Sequence, residues 1–419
     1  LLLLVTTGIG AGFSITLAPM LGRDLRCYLV SRFCSGTAMT MMRAAILWHV
    51  FAISGSAFHL GLIGLVQFIP AMLFNLVGGA VADAHDRRRV VMTAQVVPLT
   101  CGSVLALATH QGSASLALLY GMIFCIAVAA AFDNPARASL LPTLVSREAF
   151  PRAVTYASTV QALAFVTGPA TGGVIIGGAG IAAAYTVYAA LIVGSISSLA
   201  LLRPHPNDNG RRAVSLQAVR EGLAFVRRRP VVLGCMTLDM FAVIFGGATA
   251  LLPIYANQIL AVGARGYGVL SASLEAGALL SALALMTLPP IRRAGRALLI
   301  AVGVYGAATI VFGFSRSFPL SVAAYMMVGI ADQISVVMRS TAIQLSTPDE
   351  LRGRVSSVNF IFIGASNQLG AAESGFLAAL TNAPFSVVSG GVASLVVLAI
   401  VALTLPELRH YRTDHPVHA

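Results

Sequence analysis

Five charged side chains sit well inside long apolar runs: Arg43, Asp239, Glu275, Asp332 and Glu373. An ionisable group in a bilayer-spanning segment is unfavourable by about 2.5 kcal/mol or more, so each needs a partner or a task. The chemistry open to these five is proton exchange and charge pairing. A desolvated carboxylate can take up and release a proton, which makes Asp332, Asp239, Glu275 and Glu373 candidates for proton coupling. Arg43, Gln333 beside Asp332, and Asn134 are candidates for lining a substrate cavity. Each also admits a structural reading: Arg43 as the partner of an acid, Asp239 and Asp332 as helix caps or backbone acceptors. Arg32, His49 and His59 lie nearer the ends of their runs and are expected at the interface.

Catalytic chemistry is not expected. All 27 basic residues are arginine, so there is no phosphate-loop lysine, and neither His-Glu-x-x-His nor Cys-x-x-Cys occurs. The cysteines, at 27, 34, 101, 125 and 235, lie in or beside apolar runs and read as small apolar residues, not as a disulfide set or metal site. No catalytic residue, cofactor or metal follows, and ATP-driven pumping is excluded unless a partner supplies it.

The elements that must position these charges are membrane helices. Hydrophobic residues make up 57% of 419, charged residues 10%, and the mean hydropathy is +0.86. The apolar runs are about 20 residues or longer, enough to cross a hydrocarbon core of about 30 Å. Twelve are expected, near 28–53, 58–82, 90–108, 114–133, a fifth around Gly168 to Gly173, then 181–202, 231–256, 267–288, 297–314, 320–345, 355–380 and 385–405. The formal charge of +12 raises the question of nucleic acid, but its placement answers otherwise. With both termini cytoplasmic, 21 arginines fall on the inner side and only Arg265 and Arg316 in outer loops. That is the positive-inside pattern, and no aromatic-basic patch accompanies it. The expected surroundings are a lipid bilayer, with both termini on its cytoplasmic side.

The chain also repeats itself. At an offset of 202, Arg137 falls on Arg339, Glu148 on Glu350, Arg152 on Arg354, Gly168 on Gly370 and Gly173 on Gly375. Same order and same direction mean parallel repeats. The expected fold is thus an all-α membrane protein, twelve transmembrane helices in two parallel six-helix halves. Its expected divisions are a leader over 1–22, one half over 23–203, a cytoplasmic linker over 204–230, a second half over 231–408 and a tail over 409–419. Residues 1–20 lack a basic stretch and read poorly as a signal peptide. In the linker, Val214, Leu216, Val219, Leu223 and Val226 share a face against arginines, which predicts an interfacial helix.

Gly79, Asp83 and Asp86 followed by Arg87, Arg88 and Arg89 resemble the loop signature between the second and third helices of the major facilitator superfamily. Ala84 stands where a basic residue is usual. The resemblance implies an inner gate built on this loop, and Asp133, Arg137, Arg339, Glu350 and Arg354 at the matching membrane face are further gate candidates. Gly79 is also expected to pack closely on a neighbouring helix. Gly168, Pro169, Gly172 and Gly173 predict a kinked, tightly packed fifth helix, and resemble the fifth-helix pattern of exporters working by antiport. Ala164 replaces an upstream glycine of that pattern.

Three further stretches, LDMFAVIFGGATALLPIYA, ADQISVVMRSTAIQLSTPDELRGRV and IGASNQLGAAESG, resemble bacterial enterobactin-exporter-like permeases, the transmembrane secretion effector group. That likeness implies a central cavity lined by helices 1, 4, 7 and 10, with Glu275 and Glu373 on helices between the halves. Ser271 and Leu274 depart from the basic residue and proline expected there, and helix 4 carries no mid-helix arginine. Asp332 lies roughly 18 Å into its span and Arg43 at similar depth, which predicts a buried pair between opposite charges of the cavity helices. The implied function is proton-coupled export of a small amphipathic molecule, such as a siderophore or drug, by alternating access. Uptake or lysolipid flipping is open to the same architecture. A non-transporting sensor or scaffold would need a signalling domain for which the twelve runs leave little chain.

Overall fold

A computed structural model describes residues 22–203, 216–289, 291–348 and 351–412, and every regular element among them is a helix. Residues 1–21, residues 204–215 of the expected linker, Glu350, residues 413–419 and the side chain of Asp83 lie outside the described residues. The first half contains α1 (Arg23–Ser54), α2 (Ala57–Ala84), α3 (Arg87–His110), α4 (Leu116–Leu140), α5 (Phe150–Ala179) and α6 (Ile181–Ala200). A connecting helix follows, α7 (Leu216–Arg228). The second half opens with α8 (Pro230–Gly246), continued by α9 (Leu252–Ile254) and a π-helical turn over Tyr255–Ile259. It continues through α10 (Gly263–Thr287), α11 (Ala294–Phe314), α12 (Phe318–Leu345), α13 (Arg352–Leu380), α14 (Ala383–Thr404) and α15 (Pro406–His410).

Local sequence accounts for these boundaries. Side chains of Ser56, Asp86, Ser115 and Asn382 accept hydrogen bonds from backbone N–H groups in the first turns of α2, α3, α4 and α14. Among the described residues, eleven helical segments are both long and apolar enough to span a bilayer. The twelfth expected span is α13, whose 29 residues suffice in length while its Ser, Asn, Gln and Glu residues lower its hydropathy. The seventh span is not one continuous helix. It breaks at Gly246 and Gly247, where the Tyr305 ring presses on one glycine and the backbone of Gly370 on the other. Two adjacent glycines are the weakest helix-forming step in that run.

Packing repeats as the sequence does. In the first half α1 lies on α5 and α6, α2 on α4, and α3 on α4 and α6. In the second, α8 lies on α13 and α14, α10 on α12, and α11 on α12 and α14. The halves join through two crossings that exchange under the same correspondence, α5 with α10 and α2 with α13. Glu275 and Glu373 are thus on helices between the halves, as expected.

Candidate functional site

Close contacts between the halves lie in the helix portions farthest from the chain ends. The Tyr267 hydroxyl donates to the Ala44 carbonyl at 3.1 Å, Trp48 stacks on Tyr267 with centroids 5.3 Å apart, and Phe58 meets Phe376 at 5.2 Å. Backbones approach closely where Gly173 meets Gly268 and where Gly61 meets Gly375. Toward the side bearing the ends of the chain, Met39 and Asn134 are exposed. The halves are closed on the side away from the chain ends.

Near the closed side three charges share one depth. Counting from the far ends of their helices, Arg43 on α1, Glu275 on α10 and Asp332 on α12 lie about 16, 18 and 21 Å in. Glu275 is in the field of Arg43, and Asp332 in that of Glu275. Both carboxylates and Gln333 are half-buried. Arg43 borders a small cleft between the halves with Leu60, Gln67, Ala250 and Gln368. Beside these groups, the hydroxyls of Thr249 and Tyr325 are 2.8 Å apart, and the Phe312 ring, stacked on Tyr255, is tilted against that of Tyr325. Charge separation is therefore across the cavity: the cation belongs to the first half, both acids to the second.

The expected pairing of Arg43 with a cavity aspartate does not occur. Asp239 is instead ion-paired with Arg339 and lies about 13 Å from the other end of its helix, too far along to reach Arg43. Arg339 is 2% exposed, so the pair is internal to the second half, between α8 and α12. Glu373 is half-buried on α13 and accepts from the Ser374 hydroxyl at 3.3 Å.

The expected gate residues mostly tie up their own half. The Arg137 guanidinium donates to both Asp133 oxygens at 3.1 and 3.3 Å and to Ser31 at 3.2 Å, and α4 continues through Pro135. Asp86 caps α3, Arg87 donates to the Ser139 carbonyl at 3.2 Å and Arg88 to that of Ala200 at 2.7 Å. Arg89 stays exposed beside Asp86. Arg354 pairs with Glu221 of α7, whose Val226 is buried against α13.

Three expectations change, at Gly79, Arg32 and His49, while His59 stays half-buried near the start of α2. Gly79 faces open space, and the close approach belongs to Gly78, which meets the Ala131 carbonyl of α4. Arg32 donates to the Ala157 carbonyl of α5 at 3.1 Å and to Tyr28 at 3.3 Å, so acceptors within the bundle engage its guanidinium. His49 is buried, 3.0 Å from the Tyr185 hydroxyl on α6, and His59 lies 2.8 Å from that of Tyr120. The fifth-helix motif does pack tightly: Gly168 lies against Thr37 and Thr40, and Gly172 against Met41.

With this architecture in place, comparison with known proteins gives the family. Residues 14–416 match the model described as transmembrane secretion effector. The chain belongs to this family of major facilitator transporters. Its members are transporters, not enzymes, and this one is a multi-pass membrane protein acting on a small-molecule substrate. It is 26% identical over 397 residues to the enterobactin exporter EntS of Escherichia coli K12, covering 93% of this chain and 94% of that one. The EntS of Shigella dysenteriae matches at the same identity and coverage. Among solved structures, a bacterial homologue of the human lysosomal transporter Spinster, inward-facing and occupied, superposes with a TM-score of 0.69 at 16% identity, covering 96% of this chain and 98% of that chain. The nucleoside transporter NupG gives 0.72 at 12% identity, with 90% and 98% covered. These two share the transporter's fold.

Several groups at this site escape a reading of charges alone. Gln67 and Gln368 were visible as uncharged polar residues inside apolar runs. Nothing in the sequence marks Tyr267, Tyr305 and Tyr325 as neighbours of the charged cluster, since tyrosine is ordinary in membrane helices.

Proposed function

We propose that the protein is a proton-coupled exporter of a small amphipathic molecule, working as a monomer by alternating access from a bacterial inner membrane with both termini cytoplasmic. The observation that carries this reading is the pair Glu275 and Asp332, two carboxylates within each other's field at the depth of Arg43. Two acids that share a desolvated site disfavour double ionisation, so at least one is suited to hold a proton. Asp239 is set apart from this role by its tie to Arg339, and Glu373 by its place on α13 away from the named cluster. The arginine distribution supports the orientation, and the enterobactin exporters among the relatives support outward transport of a siderophore-like or drug-like cargo.

Each half keeps its own ion pairs, so the two can rock as rigid bodies about the α5–α10 and α2–α13 crossings. Opening at the chain-end side admits cargo to the charged cluster; parting of the opposite contacts releases it. The test is transport in proteoliposomes of purified protein under an imposed pH gradient, with a siderophore and a cationic dye as cargo and internal pH followed together. Coupled movement is expected, with Asp332→Asn abolishing the gradient-driven component. Gradient-driven efflux that survives Asp332→Asn removes the carrier assignment, and cargo movement without any proton flux points to a facilitator or lipid flippase.

A further inference from the structure

The guanidinium of Arg43 is exposed to the space between the halves, yet among the described residues it has no hydrogen bond or ion pair. Every other arginine that lies deep in the bundle is engaged: Arg32 with Ala157 and Tyr28, Arg137 with Asp133 and Ser31, Arg339 with Asp239. An arginine at this depth is unfavourable unless its charge is matched. The acid nearest in electrostatic terms, Glu275, stands across the cavity on α10 and forms no ion pair with it. Beside Arg43 the cleft offers two amides, Gln67 and Gln368, and an apolar wall of Ile46, Leu60 and Ile63.

We propose that Arg43 is the anion-binding residue of the substrate site and that the cargo is an amphipath with a carboxylate-type head. The planar guanidinium matches a carboxylate by two parallel hydrogen bonds. Gln67 and Gln368 supply amide donors at the rim of the same cleft, and the aliphatic wall takes the apolar body. A cationic cargo would meet Arg43 as a like charge, which narrows the class left open by the transport reading on which this inference rests.

The chain contains a single tryptophan, Trp48, five residues beyond Arg43 on α1. Its emission reports occupancy of the cleft without transport or a pH gradient, so this test and the proton-coupling test fail independently. Purified protein in detergent is titrated with 4-tert-butylbenzoate, its amide, and 4-tert-butylbenzylammonium, exciting at the red edge of the indole band. The expected result is a saturable response to the carboxylate at concentrations about tenfold lower than for the amide or the ammonium. In Arg43→Gln the carboxylate and the amide become equivalent; in Arg43→Lys a preference for the carboxylate remains. Equal responses to all three compounds in the wild type, no saturable response to the carboxylate, or a carboxylate preference that persists in a folded Arg43→Gln protein overturns the proposal.

Discussion

Asp239 of α8 and Arg339 of α12 form a buried ion pair inside the second half, and Arg339 is the repeat partner of Arg137, whose carboxylate comes from Asp133 on its own helix. The position in α12 matching Asp133 is Ser335, so the second half has taken its acid from the neighbouring helix instead. In both halves an arginine of the fourth helix is fixed to the first: Arg137 reaches Ser31 of α1, Arg339 reaches Asp239 of α8.

Removing one member of the second-half pair leaves a buried charge without its partner. Asp239→Asn or Arg339→Ala is therefore expected to destabilise the protein by about 3–5 kcal/mol, whereas Asp239→Leu combined with Arg339→Met recovers most of the loss. Thermal unfolding of the purified variants checks this. Single variants with unchanged melting temperature would show that the pair contributes nothing to the rigidity of the half.

The glycine crossings set a different limit. Gly173 and Gly268 touch backbone to backbone, as do Gly61 and Gly375, and a side chain added at Gly173 would run into the Ala264 carbonyl at 2.9 Å. Because the clash is with backbone, the helices must separate. Gly173→Val is expected to open the closed side of the cavity. In a background without native cysteines, an impermeant maleimide applied from that side should label Leu47→Cys faster in the Gly173→Val protein. Unchanged labelling would mean that this crossing does not hold the cavity shut.

Much of this was legible in the sequence, and the reason is periodic: membrane helices announce themselves by length and apolarity, and a repeat offset of 202 maps one half onto the other. The Asp133–Arg137 contact was legible too, because four residues on one helix fix a neighbour regardless of fold. Contacts between helices were not. Arg43 and Asp332 read as a pair because their depths match, but depth along a span does not say how far apart two helices stand, and the Arg339 that claims Asp239 lies 100 residues further on. Gly79 and Gly78 differ only in the direction each faces on α2, which hydropathy does not encode.

Within the first half, His49 and Tyr185 are buried partners on α1 and α6 at 3.0 Å. Tyr185→Phe deletes the hydroxyl and leaves the imidazole nitrogen without it, for an expected loss of about 1–3 kcal/mol. His49→Phe together with Tyr185→Phe removes both polar groups and should be milder than the single changes sum to. A double-mutant cycle on unfolding free energy measures the interaction directly, and strict additivity would show that the two rings do not bond.

Glu275 and Asp332 lie in each other's field, and this makes a prediction that neither residue alone can test. If the two hold one exchangeable proton between them, their titrations belong to the pair and not to either side chain. Glu275→Gln and Asp332→Asn should then each reduce gradient-driven efflux in proteoliposomes by about tenfold or more, and the double variant should be hardly worse than either single one. Cargo exchange without a gradient should survive in all three, because it needs no proton. Independent carriers would give losses that multiply. A double variant that loses gradient-free exchange as well would assign the two acids to cargo binding instead, and would leave the proton path to be sought elsewhere in the cavity.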